Sequence, residues 1–154
     1  MSIRNDVKNK KIAIASDHAG YFLKEKIKKY LILKKHEIKD FGSFSDENVD
    51  YPDYAHPLAV AVGNGDFDLG ISFCATGNGI NMTVNKHQGI RGALCWNEEI
   101  SKLARAHNDA NLCAIPGRYV SESEALLIVK TFITTDFDGG RHKRRIDKIP
   151  VKKY

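Results

Sequence analysis

The chain alternates five short apolar runs with longer segments whose apolar residues recur every three or four positions. No other feature constrains its fold as tightly. The short runs are KIAIAS (11–16), HEIKDF (36–41), FDLGISF (67–73), IRGALC (90–95) and NLCAI (111–115). Of these, FDLGISF reads as a continuous strand of the kind buried on both faces. Between the first two runs, Phe22, Leu23, Ile27, Tyr30 and Leu31 recur at helical spacing. An alanine-rich segment after Pro52 ends near GNG (63–65), and its Pro57 is expected only in a first helical turn. Residues 79–87 are compatible with a helix. NEEISKLARAH (97–107) places acids early and bases late, as a helix dipole prefers. Ser121 and Glu124 have capping-box spacing ahead of an apolar helix, which DGG (138–140) breaks.

Five β-then-α units with short connections predict a five-stranded parallel, Rossmann-like sheet between two helical layers, a three-layer α/β/α sandwich. The 154 residues suit one domain over 11–154 after a polar extension over 1–10. MSIRNDVKNKK lacks the apolar stretch of a secretory signal, and no run approaches the roughly 20 apolar residues that span a bilayer. A cytoplasmic location with no membrane partner is the expectation. Cys74, Cys95 and Cys113 cannot all pair, which fits a reducing compartment. No Cys-x-x-Cys or His-Glu-x-x-His occurs, so a structural zinc site is not expected.

Ligands of such sheets bind beyond the carboxyl ends of the strands. Asp17 and His18 follow the first run; helix capping accounts for Asp17 but not for His18. After the third run stands CATGNG (74–79), in which Gly77 and Gly79 allow successive N–H groups to turn inward as an anion-binding nest. A thiol beside such a nest is favoured as the thiolate, whereas Cys95 and Cys113 lack glycine loops and read as core. His107 and Asn108 end a helix, where the dipole alone would explain a histidine. Arg118 follows the fifth run, and Arg141 and Arg145 share one face if the tail is helical, a phosphate clamp in form. The formal charge of +5 is concentrated here: residues 141–153 hold seven Lys or Arg against one Asp, leaving −1 elsewhere. Composition leaves open a solvated terminal helix, a nucleic-acid-binding tail and a pocket for a small phosphorylated ligand. A nicotinamide-binding loop would need glycine at position 82, where Met82 stands, although Glu98 has the spacing of a ribose-binding acid.

Together SDHAG (16–20), DYPDYA (50–55), CATGNGINMTVNK (74–86), GIRGAL (89–94), HNDANL (107–112) and GGRHKRR (139–145) closely resemble the type B ribose-5-phosphate isomerase family, which includes galactose-6-phosphate isomerase subunits. The likeness runs from about Lys11 to about Ile149. It implies interconversion of ribose 5-phosphate and ribulose 5-phosphate through an enediolate, with no metal or organic cofactor. By resemblance, Cys74 is the carbon base, and the N–H groups of Ala75, Thr76, Gly77, Asn78 and Gly79 hold the enediolate oxygens. Thr76 relays a proton, His107 opens the sugar ring, and Asp17 shares that work or holds a hydroxyl. Asn108 binds sugar oxygens, while His18, Arg118, Arg141 and Arg145 match phosphate ligands and Tyr51 a pocket wall. Some members use a carboxylate within the loop; here that position is Ile80, which supports the thiol. The family forms dimers or tetramers in which His107, Asn108 and Arg118 reach a neighbour's Cys74 pocket. A six-carbon substrate (galactose 6-phosphate or allose 6-phosphate) is the alternative within the family, and nucleic-acid binding through the basic tail the alternative outside it.

Overall fold

The computed structural model describes residues 8–153, and all five runs form strands of one parallel sheet. Of the extension expected over 1–10, residues 1–7 lie outside the described residues, and 8–10 lead without regular structure into the first strand. The strands are β1 (Lys11–Ser16), β2 (Glu37–Asp40), β3 (Leu69–Cys74), β4 (Gly92–Leu94) and β5 (Leu112–Pro116). The helices are α1 (Tyr21–Leu33), α2 (Tyr51–Gly63), α3 (Asn78–Val84), α4 (Glu98–Asn108), α5 (Glu122–Thr134) and α6 (Arg141–Ile146). The spatial order is β2–β1–β3–β5–β4, so β3 lies at the centre with β1 and β5 beside it. Among the described residues, no helix is long and apolar enough to cross a membrane.

Strand alternation divides the core in two. Ile12, Ile14, Leu69, Ile71, Phe73, Cys113 and Ile115 point to one face, where they pack against α1, α4 and α5. The other face is built from small residues, among them Ala13, Ala15 and Ala114, and carries α2 and α3. Gly70 belongs to this economy of space, since a Cβ there would stand 3.0 Å from both Val62 Cγ2 and Leu112 Cγ. Small residues let Ala55 and Ala59 of α2 bury completely. They also put Cys74, the last residue of β3, on the α2/α3 side.

Several local expectations are corrected. The strands expected over 36–41 and 90–95 shorten to 37–40 and 92–94, and the helix over 79–87 to 78–84. Pro57 lies in the second turn of α2, not the first. It is tolerated because Pro57 and Asp53, whose carbonyl loses its partner, are both exposed, and water can satisfy that carbonyl. Lys24, one of several lysines in α1, is fully buried. Its Nζ donates to both oxygens of Asp40 at 2.7 and 2.6 Å, and Lys28 donates to the same carboxylate at 2.7 Å. This cluster ties α1 to the end of β2. The capping box of α5 forms as expected: Ser121 Oγ accepts from Glu124 N at 3.1 Å and Glu124 Oε2 accepts from Ser121 N at 2.6 Å.

Candidate active site

The sheet order brings the carboxyl ends of β1, β3 and β5 together, and close backbone contacts hold them there. A Cβ at Gly20 would lie 2.5 Å from Phe73 Cβ and 2.7 Å from Phe73 O, so only glycine lets the start of α1 approach the tip of β3. Gly117 is nearly as tight, with Gly20 Cα 3.1 Å and Cys74 O 3.2 Å from the Cβ position. Gly117 N donates to Cys74 O at 2.8 Å and Arg118 N to Ala75 O at 3.1 Å, which stitches the β5 exit to the loop after β3.

Asp17 and His18 occupy the β1 tip. Ser16 is in register with Phe73, which sets Asp17 beside Cys74 and on the same face. Asp17 is 5% exposed; its N–H donates to Phe73 O at 3.2 Å and its Oδ1 accepts from Gly20 N at 3.0 Å. The capping role read from the sequence is therefore present, and it leaves the second oxygen over. His18 Nδ1 lies 3.1 Å from Val49 O and 3.2 Å from Val49 N. Unprotonated, it accepts from the N–H; protonated, it donates to the carbonyl. In both states Nδ1 is occupied, and Nε2 is the ring nitrogen that Val49 does not engage.

Cys74 is 4% exposed at the end of β3. The loop that follows contains the left-handed turn that its glycines suggest, at Gly77 (φ 76°). Gly79 serves a different purpose: its φ is not in the left-handed region, and its missing Cβ makes room for the ring of Tyr51, whose Cζ would be 2.5 Å away. The Tyr51 ring thus stands against the loop. The N–H groups of Ala75, Thr76 and Gly77 donate to no acceptor among the described residues. Asn78 departs from the expected nest, because its N–H already donates to Thr76 Oγ1 at 3.2 Å. A hydroxyl two residues upstream competes naturally for such a donor.

The remaining residues lie elsewhere. Helix α4 runs back across the sheet, so His107 and Asn108 stand at the amino ends of the strands, just before β5 begins. Cys74 pairs with Pro116 at the far end of that strand, whose two ends are about 13 Å apart at the rise of a parallel strand. Arg91 Nε donates to the carbonyls of Asn108 and Asp109 at 3.1 and 3.0 Å and fixes this corner. Arg141 and Arg145 are exposed on α6 at the same edge. One chain therefore joins Asp17, His18, Tyr51, Cys74 to Gly79 and the backbone of Arg118, but not His107, Asn108, Arg141 or Arg145. The exposed Arg118 side chain is anchored only through its backbone.

The second edge holds two residues that the sequence reading passed over, His142 and Asp138. The His142 ring stacks on His107 at 4.3 Å with 10° between planes. Partial desolvation and then the neighbouring His107, Arg141 and Arg145 push His142 below the ordinary histidine range, while Asp138 pulls it back. The quoted GGRHKRR contained this histidine, and its adjacency to the arginines was the available signal. Of the other thiols, Cys113 is fully buried, and burial followed by the neighbouring Cys95 thiol pushes it well above the usual range. That fits the core role read for both.

A family model described as Ribose/Galactose Isomerase matches residues 12–149. The ribose-5-phosphate isomerase B of Escherichia coli is 41% identical over 140 residues, covering 91% of this chain and 94% of that protein. Among solved structures, a ribose 5-phosphate isomerase from Thermotoga maritima superposes with a TM-score of 0.90 at 49% identity, over 92% of this chain and 98% of that one. The ribose-5-phosphate isomerase B of Mycoplasma genitalium, solved with bound ribulose-5-phosphate, gives 0.87 at 45% identity over 90% and 93%. Matched along nearly its whole length in both sequence and fold, the chain belongs to the ribose/galactose isomerase family.

Proposed function

We propose that the chain interconverts D-ribose 5-phosphate and D-ribulose 5-phosphate by cofactor-free proton transfer, the isomerase step of the pentose phosphate pathway. Residues 11–154 act as one catalytic domain in the cytoplasm, with 1–10 as a polar extension. The observation that carries this reading is the meeting of Asp17, His18 and Cys74 at the tips of adjacent strands, beside a loop in which the N–H groups of Ala75, Thr76 and Gly77 have no acceptor among the described residues.

His107 opens the furanose, and Asp17 assists or holds a sugar hydroxyl. The Cys74 thiolate takes the proton from C2 of the open aldehyde, and the C–H electrons pass into the C1–C2 bond of an enediolate. The N–H groups of Ala75, Thr76, Gly77 and Gly79 stabilise the oxygens, and the Thr76 hydroxyl moves a proton between them. Returning the proton from sulfur to C1 completes the ketose. Asn108 holds sugar oxygens, and His18, Arg118, Arg141 and Arg145 grip the phosphate. Because His107, Asn108, Arg141 and Arg145 stand at the far edge from Cys74 of their own chain, each site takes them from another copy, with Arg118 reaching across as well. A homodimer is the smallest assembly that does so.

The test is purified chain with ribose 5-phosphate, a chelator and no nicotinamide. Conversion to the ketose is expected, with Cys74→Ala losing at least about 100-fold in turnover, as removal of a catalytic base does, while still binding the sugar phosphate. Wild-type turnover in Cys74→Ala would remove the thiol from the mechanism. Faster conversion of galactose 6-phosphate or allose 6-phosphate would favour the six-carbon alternative. Salt-sensitive nucleic-acid binding without isomerisation would favour the basic-tail alternative.

A further inference from the structure

The mechanism above leaves the carboxylate of Asp138, at the second edge, unused. Asp138 N donates to Ala106 O at 2.9 Å, which pins the segment before α6 to the end of α4, and His142 N donates to Gly139 O at 3.1 Å to begin α6. These anchors bring ligating atoms of Asp138, His107 and His142 within 4.8 Å of one another. Three such donors invite comparison with a metal centre, but the geometry is wrong for one. Parallel rings send their nitrogen lone pairs side by side rather than toward a common point, and Arg141 and Arg145 add positive charge beside them.

What suits a carboxylate here is a proton. A neighbouring imidazole and two guanidinium groups disfavour an imidazolium at His142, and Asp138 is the group that opposes them. Asp109 is engaged with Arg91 and Arg105, and Asp147 with Lys143. Arg105 is held by Asp109 and by the carbonyls of Ala110 and Thr135. Asp138 has no such cation partner among the described residues. We infer that Asp138 is a positioning residue for sugar ring opening, its carboxylate standing beside the His107–His142 stack where it favours the imidazolium that proton transfer with the sugar requires. The inference rests on the isomerase reading and adds Asp138, and with it His142, to the ring-opening step.

The proton count closes. In ring opening the C1–O4 bond breaks and O4 gains a proton, while the C1 hydroxyl loses one to become the aldehyde. A singly protonated stack supplies both transfers. The imidazolium gives its proton to O4, and its neutral neighbour accepts the one from the C1 hydroxyl.

Ribulose 5-phosphate separates this step from the rest. With its C5 oxygen phosphorylated it has no furanose form, so exchange of its C1 hydrogen with D2O needs the thiol but no ring opening. Asp138→Asn should lose on the order of 10- to 100-fold in kcat on ribose 5-phosphate, part of what acid–base catalysis supplies, with KM within about threefold. Exchange at C1 of ribulose 5-phosphate, followed by NMR, should stay within about threefold of wild type, and Asp138→Glu should recover most of the forward rate. Equal losses in both assays, no loss in either, or a change confined to KM would each overturn the assignment. Asp138→Ser, read in the same two assays, replaces Asp138→Asn should the latter unfold. A wild-type chain inactive in both assays would instead refute the isomerase reading, and this inference with it.

Discussion

Replacing Gly79 by alanine tests whether the loop after β3 is shaped by Tyr51. The new Cβ would stand 2.5 Å from Tyr51 Cζ, 2.7 Å from Cε1 and 2.8 Å from Oη. Carbon atoms in contact prefer about 3.5–4.0 Å, so roughly an ångström of movement is required. Position 79 has no left-handed backbone, so conformational strain adds nothing to the effect. Tyr51 is 37% exposed and can swing outward, but it then gives up its contact with the loop. If the ring holds, the first turn of α3 is displaced with the N–H groups beside Cys74. Overpacking of this kind costs about 1–3 kcal/mol. Urea unfolding at fixed protein concentration should show a loss of about 1–2 kcal/mol, and kcat/KM should fall about 10-fold from misplaced donors. Tyr51→Ala removes the obstacle, so the double variant should be more stable than the two single losses combined, by about 1 kcal/mol. A Gly79→Ala protein as stable and active as wild type, or strictly additive losses, would refute the contact.

Acid should weaken the fold in two windows. His36 is held below the ordinary histidine range by burial and then by the Lys10 charge, and its Nδ1 accepts from Lys10 N at 3.1 Å. The unfolded chain therefore takes up that proton first, and stability present above about pH 6.5 is lost as pH falls through the folded value. Asp40 follows at lower pH. Burial alone would raise its carboxyl, but Lys24, Lys28 and the Gly42 N–H outweigh burial and hold it below the usual range. Its contribution is present above about pH 4 and is lost on further acidification through the folded value. Melting temperatures across pH 3–8 should fall in both windows, the upper fall shrinking in His36→Asn while His87 and His142, also held below the ordinary histidine range, supply what remains; a flat profile would contradict both assignments. Iodoacetamide should label native protein at Cys74 alone, and sugar phosphate should protect it, whereas Cys113 should react only after unfolding; equal labelling of Cys113 in the native state would contradict its burial.

The strand ends were legible because apolar runs stop where polar groups begin, and Asp17, Cys74 and Arg118 all sit at such boundaries. The capping box at Ser121 was legible because it is local. Strand order was not: nothing in five separate runs says that β5 lies between β3 and β4. That order is what sets Gly117 against Cys74 and brings three tips together. Nor does a helix-ending histidine show at which edge of the sheet it emerges, so the separation of His107 from Cys74 needs the three-dimensional fold. Gly77 and Gly79 looked alike in sequence, yet one serves a left-handed turn and the other a close ring contact. Lys24 was hidden among exposed lysines, since its partner Asp40 is brought to it only by the packing of α1 on β2. Asp138 and His142 were passed over for a related reason, because their meaning comes from the end of α4 that folds against them.

The central claim is that the sulfur of one copy works with the histidine and arginines of another. Cys74→Ala and His107→Ala chains, each inactive alone, can be unfolded together in equal amounts and refolded. Random pairing makes half the dimers mixed, and each mixed dimer holds one doubly damaged site and one intact site, so about a quarter of wild-type activity should return. If each copy instead completed its own site, every site in the mixture would carry a lesion, and activity would remain at the level of the separate variants.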